Sequence, residues 1–155
     1  MPDNLEGGCQ CGAVRYRITG TPLTLYLCHC TECQKQSSSA FGMSMWVRRS
    51  DLEIVSGDPK IWERPAASGG TVTCAFCPAC GSRLYHNASD DPEISSVKAG
   101  SLDDTSWLQP VGHIWTRSRQ PWVEIDDAPP SLAYEREPAD FGELESRWTA
   151  EHPGA

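Results

Sequence analysis

All eight cysteines of the 155-residue chain fall into three clusters, Cys9/Cys11, Cys28/Cys30/Cys33 and Cys74/Cys77/Cys80. Thiolates grouped in this way are ligands for zinc, whereas cysteines serving only as small buried hydrophobes would have no reason to lie within three residues of one another. Cys77-Pro78-Ala79-Cys80-Gly81 has the form of a zinc knuckle. Pro78 fixes φ where the chain begins to turn, and Gly81 can take the positive φ that points backbone amides at the sulfurs. A knuckle supplies two thiolates and a closed structural zinc takes four, so its partners lie elsewhere in the chain.

Two divisions of the eight cysteines are open. Either two four-cysteine sites use all of them, or one four-cysteine site stands beside a three-cysteine site and Cys74 is left over. The choice bears on function, because a saturated tetrahedral zinc is structural while a three-ligand zinc can take up a water, a thiol or a substrate. A thiol entering such a site loses its proton, since coordination lowers its pKa far below the free value of about 8.5. Three thiolates also make the centre anionic, which weakens it as a Lewis acid toward a carbonyl but leaves a bound thiolate nucleophilic. Cys74 is therefore the pivotal residue: it can close the second site, stand beside it as a spare thiol, or be plain core. Division into two sets of four favours its being a ligand.

The elements that must position these thiols read as short strands. Cys9 and Cys11 would share one face of a regular strand yet sit too far apart for one ion, so the glycines around them must bend the chain. Val14, Tyr16 and Ile18 alternate with Arg15 and Arg17, the period of a strand with one buried face. Leu23, Leu25 and Leu27 alternate into Cys28, placing the second cluster at a strand end. A polar, helix-compatible turn follows through Ser37-Ser38-Ser39. Further strands are expected over 43–48, 52–55, 60–63, 71–76, 83–86 and 94–99, with a turn from Asn87 to Pro92. Beyond Ser101 the chain reads as loop, with Trp107, Trp115 and Trp122 as core or lid residues. A terminal helix follows Asp140, which forms a candidate capping box with Glu143 ahead of Leu144 and Trp148. The fold class expected is mainly β: one domain of short antiparallel strands with zinc knuckles over residues 5–138, then a short helical tail over 139–155.

The net charge of −8, with no basic run longer than Arg48-Arg49, argues against nucleic acid as a partner. No apolar run approaches membrane-spanning length, and the polar, acidic N-terminus has no leader pattern, so a soluble cytoplasmic protein is expected. In a reducing compartment the cysteines are metal ligands or reactive thiols rather than disulfides.

Three ordered motifs carry a family resemblance: Gly8-Cys9-Gln10-Cys11-Gly12-Ala13-Val14-Arg15-Tyr16, Cys28-His29-Cys30-Thr31-Glu32-Cys33-Gln34 and Phe76-Cys77-Pro78-Ala79-Cys80-Gly81-Ser82. With Gly100-Ser101-Leu102-Asp103-Asp104, His113-Ile114-Trp115-Thr116 and Pro121-Trp122, the chain resembles the glutathione-dependent formaldehyde-activating enzyme family, which shares its domain with centromere protein V. The resemblance implies a β-rich fold with two zinc ions. Cys9, Cys11, Cys77 and Cys80 match the family's structural site, and Cys28, Cys30 and Cys33 match its catalytic site. It also implies a carbon–sulfur lyase activity that joins glutathione to formaldehyde. The chain departs from the pattern at Ser37-Ser38-Ser39, where many members carry a glycine, and at Cys74. The expected function is a zinc-dependent enzyme acting on glutathione or a similar thiol and a small aldehyde. Its rival is a non-catalytic protein-interaction module in which Cys74 closes a second four-cysteine site.

The remaining candidates are weaker. His29 reads as solvent-facing or backbone-bonded ahead of ligand or proton relay, and His86 and His113 read as satisfied fold residues. Arg48, Arg49, Arg64, Arg117 and Arg119 could meet the carboxylates of glutathione but are individually surface charges. Asp103-Asp104 and Asp126-Asp127 read as turns.

Overall fold

A computed structural model describes residues 5–125 and 131–153. In chain order the elements are β1 (Leu5–Gly8), β2 (Arg15–Ile18), β3 (Thr24–Cys28), α1 (Thr31–Ser37), β4 (Gly42–Arg48), β5 (Leu52–Ser56), β6 (Lys60–Pro65), β7 (Thr71–Phe76), β8 (Arg83–Ala88), β9 (Asp91–Lys98), β10 (Gly112–Ile114), β11 (Leu132–Ala133) and α2 (Gly142–Glu151). The protein is mainly β, with a short C-terminal helix. Its chain forms two compact units, one of residues 1–22 and 45–107 and the other of residues 23–44 and 108–155.

In the first unit β1, β2 and β5 form an antiparallel sheet in the order β1-β2-β5, and β6 to β9 pair antiparallel with their sequence neighbours. The alternation read from the sequence holds in β2: Val14, Tyr16 and Ile18 are buried and the arginines between them are not. The Tyr16 hydroxyl lies 2.8 Å from Ser101 Oγ, and burial pushes its pKa up to about 12. The hairpin between β8 and β9 is tighter than expected. Ala88 pairs with Asp91, so only Ser89 and Asp90 remain for the turn, and Ser95 Oγ donates to Asn87 Oδ1 at 2.7 Å.

In the second unit β10 runs parallel to both β3 and β11, a departure from the purely antiparallel expectation. The simple alternation expected for 23–27 also fails: Thr24, Leu25 and Tyr26 are all buried, while Leu23 and Leu27 are only half-buried. Helix α2 is the reason. Thr24 Oγ1 donates to the Leu144 carbonyl at 3.2 Å, and the Tyr26 ring lies 5.5 Å from Phe141, so the face that alternation assigns to solvent is covered. Leu144 and Trp148 are the buried stripe of α2.

The capping box is replaced by a different arrangement. Asp140 Oδ1 accepts from the Gly142 amide at 2.7 Å, while Glu143 accepts from the Tyr134 hydroxyl rather than reaching back to the cap. Trp148 is the buried tryptophan. Trp107 and Trp115 are half-buried, and Trp122 is 70% exposed with its indole N–H on Gln120 Oε1.

Candidate metal centres

No cysteine is disulfide-bonded. The first centre belongs to the first unit and joins the turn after β1 to the turn between β7 and β8. Gly8 ends β1, and a tight turn follows in which the Gly12 amide donates to Cys9 O, the Cys9 amide to Val14 O and the Val14 amide to Cys9 Sγ at 3.2 Å. The knuckle has the same logic: the Gly81 amide donates to Cys77 O and the Cys77 amide to Ser82 O. Both turns need a residue at positive φ, supplied by Gly12 (77°) and Gly81 (75°). Ser82 Oγ links the two turns by accepting from the Gln10 amide at 3.0 Å and lying 3.2 Å from Cys80 Sγ.

These turns bring Cys9, Cys11, Cys77 and Cys80 together, with all four sulfurs within 4.8 Å of one another. Cys9 and Cys11 are 3.5 Å apart and Cys11 and Cys77 3.8 Å. Four thiolates around one zinc, each at ~2.3 Å in a tetrahedron, have sulfurs about 3.8 Å apart, so the set fits a closed site. The protonation chemistry agrees. The Val14 amide draws the Cys9 thiol below its ordinary pKa, and the Ser82 hydroxyl, with the Ser82 and Cys11 amides, lowers Cys80 to about 5. Cys11 bears the resulting repulsion: the Ala13 amide pulls it down, but the sulfurs of Cys9 and Cys80 outweigh that pull and raise it to about 11. Four neighbouring sulfurs can be ionised together only with a cation among them.

The second centre lies in the second unit, where β3 ends and α1 begins. Cys28, Cys30 and Cys33 have their sulfurs within 4.8 Å of one another. Cys30 is the N-cap of α1, its sulfur accepting from the Cys33 amide at 3.3 Å. Gln34 braces the loop by donating from Nε2 to the His29 and Ser118 carbonyls, both at 2.8 Å, while its Oε1 accepts from Gln120. Gly42 lies against Cys33: a Cβ there would stand 3.2 Å from Cys33 Cβ and 3.4 Å from its sulfur. Cys30 and Cys33, followed by burial, push the Cys28 thiol far above its ordinary pKa. At Cys30 the Cys28 sulfur lowers the pKa, but Cys33 and burial prevail and the net shift is upward. Three crowded thiols, those of Cys28 and Cys33 buried, also fit a dication.

Among the described residues, Cys74 is in neither group. It is buried in β7, paired with Trp62 on one side and His86 on the other. His29 is not solvent-facing. It is fully buried, with Nε2 2.8 Å from Nδ1 of buried His113 and the two rings stacked 5.1 Å apart. Burial, and then His113 and Arg119, lower the His29 pKa to about 4. Nothing in the sequence signals this pair, whose members stand 84 residues apart. Asp103 and Asp104 diverge as expected: Asp103 pairs with Arg15, and Asp104 Oδ1 accepts from the Ser106 amide and hydroxyl. Asp126-Asp127 lies outside the described residues.

A cysteine-rich fold with two thiol clusters in this order defines a class. The chain belongs to the glutathione-dependent formaldehyde-activating enzyme family, whose model matches residues 4–118. A Halomonas elongata protein provisionally named as such an enzyme is 28% identical over 127 residues, covering 79% of this chain and 81% of its own. A crystal structure of a Rhodobacter sphaeroides protein superposes with a TM-score of 0.54 at 19% identity, covering 83% of this chain and 98% of that one, a likeness of fold.

Proposed function

We propose that the protein joins the thiol of glutathione to formaldehyde or another small aldehyde, a carbon–sulfur lyase-type reaction, with Cys28, Cys30 and Cys33 holding a catalytic zinc and Cys9, Cys11, Cys77 and Cys80 a structural one. The observation that carries this reading is the three-thiol group at the β3–α1 junction, to which the described residues add no fourth thiol. Zinc at that position would supply the acidity that turns a bound thiol into a thiolate at neutral pH.

The chain's own residues have defined parts. The Cys33 amide stabilises charge on Cys30 Sγ, Gln34 fixes the loop through the His29 and Ser118 carbonyls, and the stacked His29–His113 pair walls off one side of the loop from water. In the reaction the thiol sulfur forms a bond to the carbonyl carbon. The carbonyl π electrons pass to oxygen, and that oxygen takes up the proton the thiol released. The product is a hydroxymethyl thioether, and no oxidant or reductant is needed. Among the described residues no helix is long and apolar enough to cross a membrane.

The test is Cys30→Ser. Zinc should fall from two per chain to about one, as expected for loss of one independent site. The rate at which 13C-formaldehyde and glutathione give the S–CH2–OH carbon should return to that of buffer, with the far-UV circular dichroism retained. A variant that keeps the native rate sinks the proposal.

A further inference from the structure

Within the second unit, an open cavity of about 480 Å³ lies beside the last turn of α1. Its volume is in the range of small-molecule sites. Gln34 and Lys35 of the helix line it, with Ser38 and Ser39 just after the helix and Gln120 and Trp122 from the chain beyond β10.

Trp122 is 70% exposed, the barest large apolar side chain among the described residues, yet it is not loose. Its indole N–H donates to Gln120 Oε1 at 2.7 Å, Gln120 Nε2 donates to Gln34 Oε1 at 3.1 Å, and Gln34 Nε2 donates to the His29 and Ser118 carbonyls at 2.8 Å. An aromatic face open to solvent is thus held in place by a chain of amides that ends in the loop of the second thiol cluster. The polar lining is one-sided. Among the described residues the Lys35 ammonium and the Ser38 and Ser39 hydroxyls face the cavity without a hydrogen-bond or ion-pair partner, and no carboxylate lines it. In a chain of net charge −8, the one charge at this cavity is positive. Carbonyls at the end of a helix repel anions, but here those of Gln34 and Lys35 are taken up by the Ser38 and Ser39 amides.

We propose that this cavity receives a carboxylate of a peptide-like thiol, with Lys35, Ser38 and Ser39 as donors to its oxygens and the Trp122 face against its backbone. Its place on the helix suits such a ligand. Lys35 follows Cys33 by two residues and Cys30 by five, about 3 Å and 7–8 Å of axial rise along α1. A carboxylate two residues from a sulfur reaches ~7 Å along an extended chain, which matches that interval. Naming glutathione as the ligand rests on the proposed function above; the donor-lined cavity does not.

The experiment uses the zinc-loaded protein with 15N-labelled tryptophan, the Trp122 indole signal being the one absent in Trp122→Phe. S-methylglutathione, which has no free thiol, should move that signal saturably, and its dimethyl ester, with both carboxylates masked, should not. Lys35→Gln should weaken the binding about fivefold, the upper end for an exposed ion pair, and unchanged binding would overturn the carboxylate contact. If S-methylglutathione binds by calorimetry without moving Trp122, the cavity is overturned and the proposed reaction survives. If it moves Trp122 while 13C-formaldehyde and glutathione give no S–CH2–OH carbon above the buffer rate, the cavity stands and the proposed reaction falls. If acetate at the same concentration moves Trp122 as far, the peptide-like thiol is overturned as the ligand. If neither moves it, the proposal fails.

Discussion

The two thiol clusters use the same side chain to opposite ends. The first draws its four sulfurs from two turns 66 residues apart, each set by a positive-φ glycine and each furnished with N–H or O–H groups aimed at sulfur. The second takes its three from a six-residue stretch at a strand end, with the Cys33 amide directed at the Cys30 sulfur. A metal in the first closes a long loop and so opposes unfolding, whereas a metal in the second closes almost none. The contrast extends in part to protonation: local donors pull Cys9 and Cys80 toward thiolate, though their sulfurs raise Cys11, while crowding and burial push Cys28 and Cys30 toward thiol. On the proposed reading, fastening the fold and holding an exchangeable metal are separable tasks, and the chain distance between ligands separates them.

The sharpest way to break this comparison is Cys77→Ser. Cys77 is fully buried, and its backbone N–H and C=O both serve the knuckle, so loss of its sulfur should cost several kcal/mol, roughly the scale of a lost structural metal in a small domain. Far-UV circular dichroism and thermal melting should show an unfolded or severely destabilised protein, in contrast to Cys30→Ser. Equal melting temperatures for the two variants would erase the distinction between the clusters.

How much of this was legible in the sequence follows from the same contrast. Spacing within a few residues carries directly: the knuckle, the Cys28-to-Cys33 loop, and the alternation of Val14, Tyr16 and Ile18 all appear in the structure where they were expected. What depends on contacts between distant segments does not. Tyr26 is buried because Phe141 covers it, and His29 is paired because β10 brings His113 beside it. His86 was read as a satisfied fold residue, and its Nε2 has no hydrogen-bond partner among the described residues. Register decided the matter: only the pairing of β7, β8 and β9 places Cys74, His86 and Ser96 on one rung.

A smaller effect probes the second cluster through the helix that frames it. Helix α1 ends at Ser38, which holds the left-handed conformation (φ 50°) with its amide on Gln34 O and Lys35 O. That position sits in the Ser37–Ser39 stretch. A Cβ in this conformation costs about 1 kcal/mol, partly offset in a glycine variant by the greater entropy of its unfolded chain. Ser38→Gly should therefore raise stability by about 0.5 kcal/mol in urea unfolding and leave zinc at two per chain. A destabilised variant would mean that the Ser38 side chain, rather than the turn, holds the loop.

The smallest effect belongs to the frame of the first cluster, where Arg15, four residues after Cys11, forms a two-pronged pair with Asp103, one prong being Nη1 to Oδ1 at 2.8 Å. The side chains are 32% and 53% exposed, so solvent and salt screen the pair and its worth is at most about 0.5–1 kcal/mol. The Arg15 hydrogen bonds hold the Asp103 carboxyl below its ordinary pKa, and Arg15 stays charged throughout. A carboxyl whose pKa is depressed on folding adds stability above its unfolded value, and that increment is lost as pH falls through the folded value. Asp103→Asn should accordingly melt slightly below the native protein at pH 7, and the gap should close on acidification below about pH 4. It should also narrow in 1 M salt. A gap that persists at low pH would show that Asp103 acts through its shape or its backbone rather than its charge, and the pair would then lend the first cluster no electrostatic support.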